Sequence, residues 1–382
     1  MSFFCKKTGL SFSVLNLINT KKLRPIHMNT TLKNILVSGA VITSFISLMG
    51  VATNASAAMT PQEVSPDGYG VRYENPKASF YNKSSSDRYR DIWRAARDNW
   101  NGTGAFTWTE TSNVNSRTYT SSVSESTGQW VDATGMTTYR VHIDANNPAW
   151  QTGATILLNR YNLDKYNYTN TERAAVATHE MGHAIGLDHN SEATSIMNPA
   201  PREQHIVQDD INGVNHIYEG SALRSTDAES DTPTDVKNHL YSTQINYVKD
   251  YSNESGIQAL KADSDMIVVG TVKDSQSHDD FSQDKENHYT THKLDVSESL
   301  KGNTAESLSF YQSGTDKVDI VNSQLLKDGD RVMVVLHKDD DGNLHVMNDG
   351  QGIFVSNGTK TRTTETFTRV SDKHIVTMDM LK

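Results

Sequence analysis

The chain of 382 residues holds one cysteine, Cys5, so no disulfide framework stabilises it. It also lacks a basic excess, with 36 Lys and Arg against 46 Asp and Glu. Six of those cations and none of the acids lie in residues 1–57, which leaves a net charge of −16 on residues 58–382. Such a surface repels nucleic acid and anionic membranes, and neither is expected as a partner. Long apolar runs are scarce too. Ile35 to Val51 is mostly apolar, the wider stretch Asn34 to Gln62 carries no charge, and Lys21, Lys22, Arg24 and Lys33 precede it. Ala55-Ser56-Ala57 then offers a small-x-small cleavage site, so residues 1–57 are expected to be a signal peptide. Met28 would begin a signal of ordinary length, making residues 1–27 an upstream extension. The rival reading is a retained anchor, for which the stretch is short and rich in Ser, Gly and Thr.

What the chain does have is the run His179-Glu180-Met181-Gly182-His183-Ala184-Ile185-Gly186-Leu187-Asp188-His189. His179 and His183 are four apart, so on a helix they stack on one face and their rings can reach one metal ion. Glu180 adjoins the first of them and can approach a water without coordinating the metal. Gly186 lets the backbone leave the helix through positive φ and bring His189 back as a third ligand. Three protein ligands leave a fourth position open, which is the catalytic rather than the structural arrangement of zinc. The competing reading is two amphipathic-helix histidines that merely pack, plus a turn glycine.

The surrounding residues supply the context. Thr169 and Glu172 are spaced as a capping box, and Ala174, Ala175, Val176 and Ala177 favour or tolerate helix. A helix is therefore expected from Thr171 to Ile185, ended by Gly186. Met197 follows within Ser195-Ile196-Met197-Asn198-Pro199. Here the sequence resembles the metzincin zinc endopeptidases, whose long zinc motif is followed by a methionine turn. Within them it is most similar to the matrixin branch, because Pro199 stands where astacin-like relatives carry tyrosine. The run Gln208 to Tyr218 resembles that branch's last catalytic-domain helix, and the resemblance extends over residues 67 to 220.

The resemblance implies an α+β fold, with a twisted sheet, an active-site helix and a C-terminal helix. It implies one catalytic zinc on His179, His183 and His189, Glu180 as general base, and Met197 as a floor beneath the metal. Protein or peptide substrates would pair with an edge strand, and Ala154 to Asn159 is the segment it assigns to that task. Asp209 or Asp210 would anchor a mature N-terminus, unless they only complement the helix dipole. The thiol latch of vertebrate matrixins has no counterpart here. Their structural zinc and calcium ligands are not traceable either. His142-x-Asp144 reads as ordinary alternation on a strand, Tyr139 to Ile143, and Ca2+ has no traceable site.

Organisation along the chain suggests a catalytic domain at 58–220, a linker at 221–256 rich in Ser, Thr and Asp near its start, and a β-rich domain at 257–382. In the first domain Tyr89, Ile92, Trp93, Ala96 and Trp100 recur at helical spacing, with Ser86 as N-cap and Gly102 as the close. In the last, Met266 to Val272 and Arg331 to Leu336 read as buried strands, and Asp339 to Asn343 as a hairpin rather than a calcium loop. A small barrel or sandwich is expected there, with His278, His288, His292 and His345 on its surface. The functional reading is a secreted zinc endopeptidase, exported by a Gram-positive bacterium and free of the membrane once its signal is removed. The alternative is a secreted binding or adhesion protein worked by the β domain. A third reading makes that domain a cover over the cleft. Oligomeric state leaves no mark in the sequence.

Overall fold

Aromatic side chains at helical spacing build the first core. In the computed structural model, which describes residues 58–64, 70–144, 147–219, 241–252, 254–282, 286–358 and 365–382, strand β1 (Lys77–Asn82) leads into helix α1 (Asp87–Thr103). Ser86 caps α1 by accepting from Tyr89 N, and the close falls at Gly104, φ 72°, rather than at Gly102, which lies within the helix. Strands β2 (Thr107–Thr111), β3 (Tyr119–Val123), β4 (Ala133–Asp144) and β5 (Asn147–Asn159) follow. The short helix α2 (Arg160–Lys165), the long helix α3 (Asn170–Ile185) and helix α4 (Gln208–Tyr218) come next. Trp93, Trp100, Trp108, Phe80 and Phe106 pack with Val176, Met181, Ala184 and Ile185 of α3 in one buried cluster. Trp100 Nε1 also donates to Thr178 O at 2.8 Å, which fixes the height of α3 against α1.

Two strands from later in the chain enlarge the sheet. Strand β6 (Tyr241–Tyr247) and the three-residue β10 (Val318–Ile320) join it, giving the order β10-β6-β4-β5-β3-β1-β2. The pairs β1–β2, β1–β3 and β3–β5 are parallel, and β4 runs antiparallel to both β5 and β6. Two expectations change here. Ala154 to Asn159 lies inside β5, with β3 on one side and β4 on the other, so it is not an edge. Its residues are buried throughout, as suits a strand covered on both faces. The expected linker 221–256 contains β6 and the start of helix α5 (Glu254–Asp263), while residues 220–240 lie outside the described residues. The signal-peptide reading of residues 1–57 and the side chains of His142 and Asp144 also lie outside them. Among the described residues no helix is long and apolar enough to cross a membrane.

The remaining strands are β7 (Met266–Asp280), β8 (Asn287–Lys301), β9 (Ser307–Ser313), β11 (Arg331–Lys338), β12 (Leu344–Val346), β13 (Ile353–Ser356), β14 (Thr366–Arg369) and β15 (Ile375–Thr377). Their order is β12-β9-β8-β7-β11-β13-β14-β15, and β12 pairs with β11 as well, which closes five of them into a ring. The Asp339 to Asn343 segment is a hairpin turn: Asp339 Oδ1 accepts from the backbone N of Asp341 and Asn343, with Gly342 at φ 86°. Three of the histidines expected on the surface are buried, His288, His292 and His345. Each has a partner that makes burial affordable in hydrogen bonds. His288 meets Asp279 at 2.9 Å, His292 lies between Ser275 and Gln312, and His345 reaches Asp339 at 2.9 Å.

Candidate metal centre

Helix α3 begins with the capping box. Thr169 Oγ1 accepts from Glu172 N at 3.2 Å, and the Glu172 carboxylate accepts from Thr169 N at 2.6 Å. Arg173, buried, ties the first turn to α2 through Leu163 O and Asp164, and to α1 through the Tyr89 hydroxyl. At the other end Gly186 takes φ 116°, and a Cβ there would sit 2.3 Å from Val71 O. No L side chain suits that position, so the chain turns sharply and His189 returns toward the helix.

His179, His183 and His189 each present a ring nitrogen, and the three nitrogens lie within 4.8 Å of one another. His179 Nδ1 is 2.7 Å from Ile196 O, and His183 Nδ1 is 2.8 Å from Leu187 O. A carbonyl can only accept, so both Nδ1 atoms carry hydrogen and both Nε2 atoms present lone pairs. Those two Nε2 atoms face each other at 2.8 Å, and His189 Nε2 is buried with no partner. Two acceptors at that separation repel unless a cation sits between them. The donor set therefore fits a tetrahedral divalent metal with three imidazoles, which is the chemistry of zinc. Burial holds all three imidazoles below their ordinary pKa, reinforced for His179 and His183 by the neighbouring histidines, so the neutral, ligating form is favoured.

Glu180 is fully buried beside this cluster. Its Oε2 accepts from Thr137 Oγ1 at 2.7 Å, and its Oε1 has no partner. Burial pushes the carboxyl well above its ordinary value, opposed by the Thr137 hydrogen bond. Thr137 and Gly135 lie on β4, and a Cβ on Gly135 would come within 2.4 Å of Glu180 Oε1. Neither residue was visible in the motif. Met197 is fully buried, next to Ile196 whose carbonyl holds His179, and Gly182 gives it room, since a Cβ there would lie 2.4 Å from Met197 Sδ.

The segment at 58–64 also reaches the centre. Glu63 N donates to Gly186 O, and Asp188 N to Pro61 O. The buried Asp210 carboxylate accepts from Thr60 Oγ1, Ser195 Oγ, Ile196 N and Val207 N, which links the methionine turn to α4. Asp209 contributes its backbone carbonyl to Thr60 N. Glu63 is raised well above its ordinary pKa by burial and by the adjacent Asp188, and Gln244 of β6 donates to both carboxylates.

A three-histidine centre on a helix and its glycine turn, with a carboxylate alongside and a buried methionine nearby, has the donor set of a catalytic metal site. The peptidase M10 matrixin family model matches residues 82–219, the stretch that carries all of these side chains. Short alignments connect the chain to named matrixins. It is 48% identical over 50 residues to matrix metalloproteinase-27 of Homo sapiens, covering 12% of this chain and 10% of that protein. It is 35% identical over 72 residues to macrophage metalloelastase of Oryctolagus cuniculus, covering 18% and 16%, and 43% identical over 51 residues to metalloendoproteinase 5-MMP of Arabidopsis thaliana, covering 12% and 14%. The chain thus spans no more than 16% of the length of these three relatives.

Proposed function

We propose that the chain is a secreted zinc endopeptidase that hydrolyses peptide bonds in proteins, with His179, His183 and His189 as the metal ligands and Glu180 as the general base. The observation that carries this reading is the pair of Nε2 lone pairs facing each other at 2.8 Å beside a carboxylate with a free Oε1. Zinc, when bound, polarises the scissile carbonyl and makes water easier to deprotonate. Glu180 takes the proton from the attacking water on Oε1 and passes it to the leaving amine. Thr137 holds the other carboxylate oxygen, so the same oxygen serves both transfers. Ile196 O and Leu187 O fix the tautomer and the ring planes of the first two ligands. Met197 and Gly182 pack against each other and coordinate nothing. Export follows the signal-peptide reading of residues 1–57, and the acidic surface suits a soluble extracellular protein.

The test is zinc content and digestion of casein, an unstructured protein, by wild type and Glu180→Gln in parallel. One zinc per chain in both, with cleavage in wild type lost on mutation and on chelation, is the expected result. Equal cleavage by Glu180→Gln would remove Glu180 from the mechanism. Absence of bound zinc from a properly folded wild type would end the reading.

A further inference from the structure

The side of β4 that faces away from β5 is taken by the chain's own β6. The register sets Gly135 opposite Asn246, Thr137 opposite Gln244 and Tyr139 opposite Ser242. Thr137 holds Glu180, and its register partner Gln244 donates to Asp188 beside the ligand His189, so β6 runs along the side of β4 that borders the metal centre. A peptide that reached Glu180 by strand addition would have to pair where β6 now pairs.

β6 is held from several directions. Ser242, Thr243, Gln244, Ile245 and Asn246 are each no more than 5% exposed. Thr138 Oγ1 and Thr243 Oγ1 lie 3.1 Å apart, and Asn246 Nδ2 donates to Thr134 Oγ1 at 3.0 Å. Gln244 Nε2 donates to Glu63 Oε2 at 2.5 Å and to Asp188 Oδ1 at 3.2 Å, next to the ligand His189. Behind β6, the short β10 pairs with its far edge. At the centre, His179, His183 and Glu180 are buried at 0 % exposure. The space beside His189 is a cavity of about 200 Å³, walled by Gln244, Ile245 and Tyr247 of β6, by Ile320 of β10 and by Asn348. Sites that accept even a drug-sized ligand are usually larger, about 300–1,000 Å³.

We propose that β6 is a built-in occupant of the peptide-binding edge, so that the chain in this conformation is self-blocked and a substrate gains β4 only when residues 241–247 leave it. The proposal rests on the zinc-endopeptidase reading for its substrate class, though the displacement itself is measurable without catalysis. A strand in the sheet blocks access through backbone pairing, and no thiol is needed for it. Four of its seven side chains, Ser242, Thr243, Gln244 and Asn246, are polar and can be satisfied by water once the strand is unpaired.

The test has two arms on the full zinc-loaded chain. In the first, Thr138→Cys and Thr243→Cys are combined on a Cys5→Ser background, because the two threonines face each other in register. The oxidised form, with β6 locked, should cleave a fluorogenic peptide at least tenfold more slowly than the same protein reduced with a phosphine. Equal rates in a properly disulfide-bonded protein overturn the proposal. The second arm needs no variant. Wild type is titrated with a tripeptide hydroxamate while amide hydrogen exchange is followed. Residues 242–246 should exchange at least tenfold faster in the bound form, and binding that leaves their protection unchanged overturns it. If β6 is released by the hydroxamate but no form cleaves any peptide, the peptidase reading fails while the displacement stands.

Discussion

Thr137 Oγ1 lies 2.7 Å from Glu180 Oε2 and 2.9 Å from the Glu180 backbone carbonyl, which places one hydroxyl between a strand and the active-site helix. A hydroxyl has one proton, so it donates to only one of the two at a time. Thr137→Val keeps the shape of the side chain and removes that donor. The loss of a hydrogen bond to a charged group costs about 1.5–3 kcal/mol, so kcat should fall about tenfold or more. Zinc content and KM should change little, and Thr137→Ser should restore most of the rate. A variant with unchanged kcat would show that Thr137 serves packing alone.

Gly182 and Met197 form the second sensitive contact. A Cβ at Gly182 would meet Met197 Sδ at 2.4 Å and Trp100 Cζ2 at 2.9 Å. Both neighbours are fully buried, so neither can swing into solvent. Gly182→Ala is expected to destabilise the fold by about 1–3 kcal/mol through overpacking. Urea unfolding of the two proteins measures this, and equal midpoints would mean that the methionine turn yields freely.

The metal centre was legible because its determinants are local. Helical spacing, one glycine and a three-residue return set all three histidines, and Thr169 with Glu172 announced the start of the helix. The β4 partners of Glu180 were not legible, because Thr137 and Gly135 stand more than forty residues upstream and meet it only across the sheet. β6 escaped for a different reason. Its sequence, Tyr-Ser-Thr-Gln-Ile-Asn-Tyr, has one aliphatic residue, and Thr243, Gln244 and Asn246 are buried with side-chain hydrogen bonds, so no apolar run marks it as a strand. The misplaced edge has a related cause. Ala154 to Leu158 was a strand by any reading, but whether it lies at the border depends on what pairs beside it, and β4, earlier in the chain at Ala133–Asp144, takes that side. The buried histidines of the β-rich part failed likewise, since their partners Asp279, Gln312 and Asp339 are brought to them by strand pairing or a turn.

Glu172 gives a pH prediction at the start of α3. Burial alone would raise its carboxyl, but the Thr169 backbone N–H, the Arg202 guanidinium and the Thr169 hydroxyl together hold it at about 2. A carboxyl depressed in the folded state contributes its stability above its ordinary value of 4.5, and the contribution is lost as pH falls from there toward 2. Unfolding free energy should therefore drop across that window in wild type. Glu172→Gln, which cannot ionise, should be less stable by about 1 kcal/mol at pH 7 and show a shallower decline below pH 4.5. Identical acid profiles for the two proteins would exclude this carboxylate as a source of the dependence.

Removal of the metal tests the facing lone pairs. With no cation between them, His179 Nε2 and His183 Nε2 repel at 2.8 Å inside a fully buried site, and the helix turn that carries both should loosen. A ligand that binds only the folded state adds about 2.7 kcal/mol when present at a hundred times its dissociation constant. For a chain of this size that corresponds to a Tm shift of about 3–4 °C between zinc-loaded and chelated protein. Scanning calorimetry should show the same shift for Glu180→Gln, because all three imidazoles remain. His183→Ala should show almost none, since it removes the ring that faces His179. A wild-type Tm that ignores both chelator and added zinc would mean that the three histidines hold no metal, and it would take the zinc-dependent reading down with it.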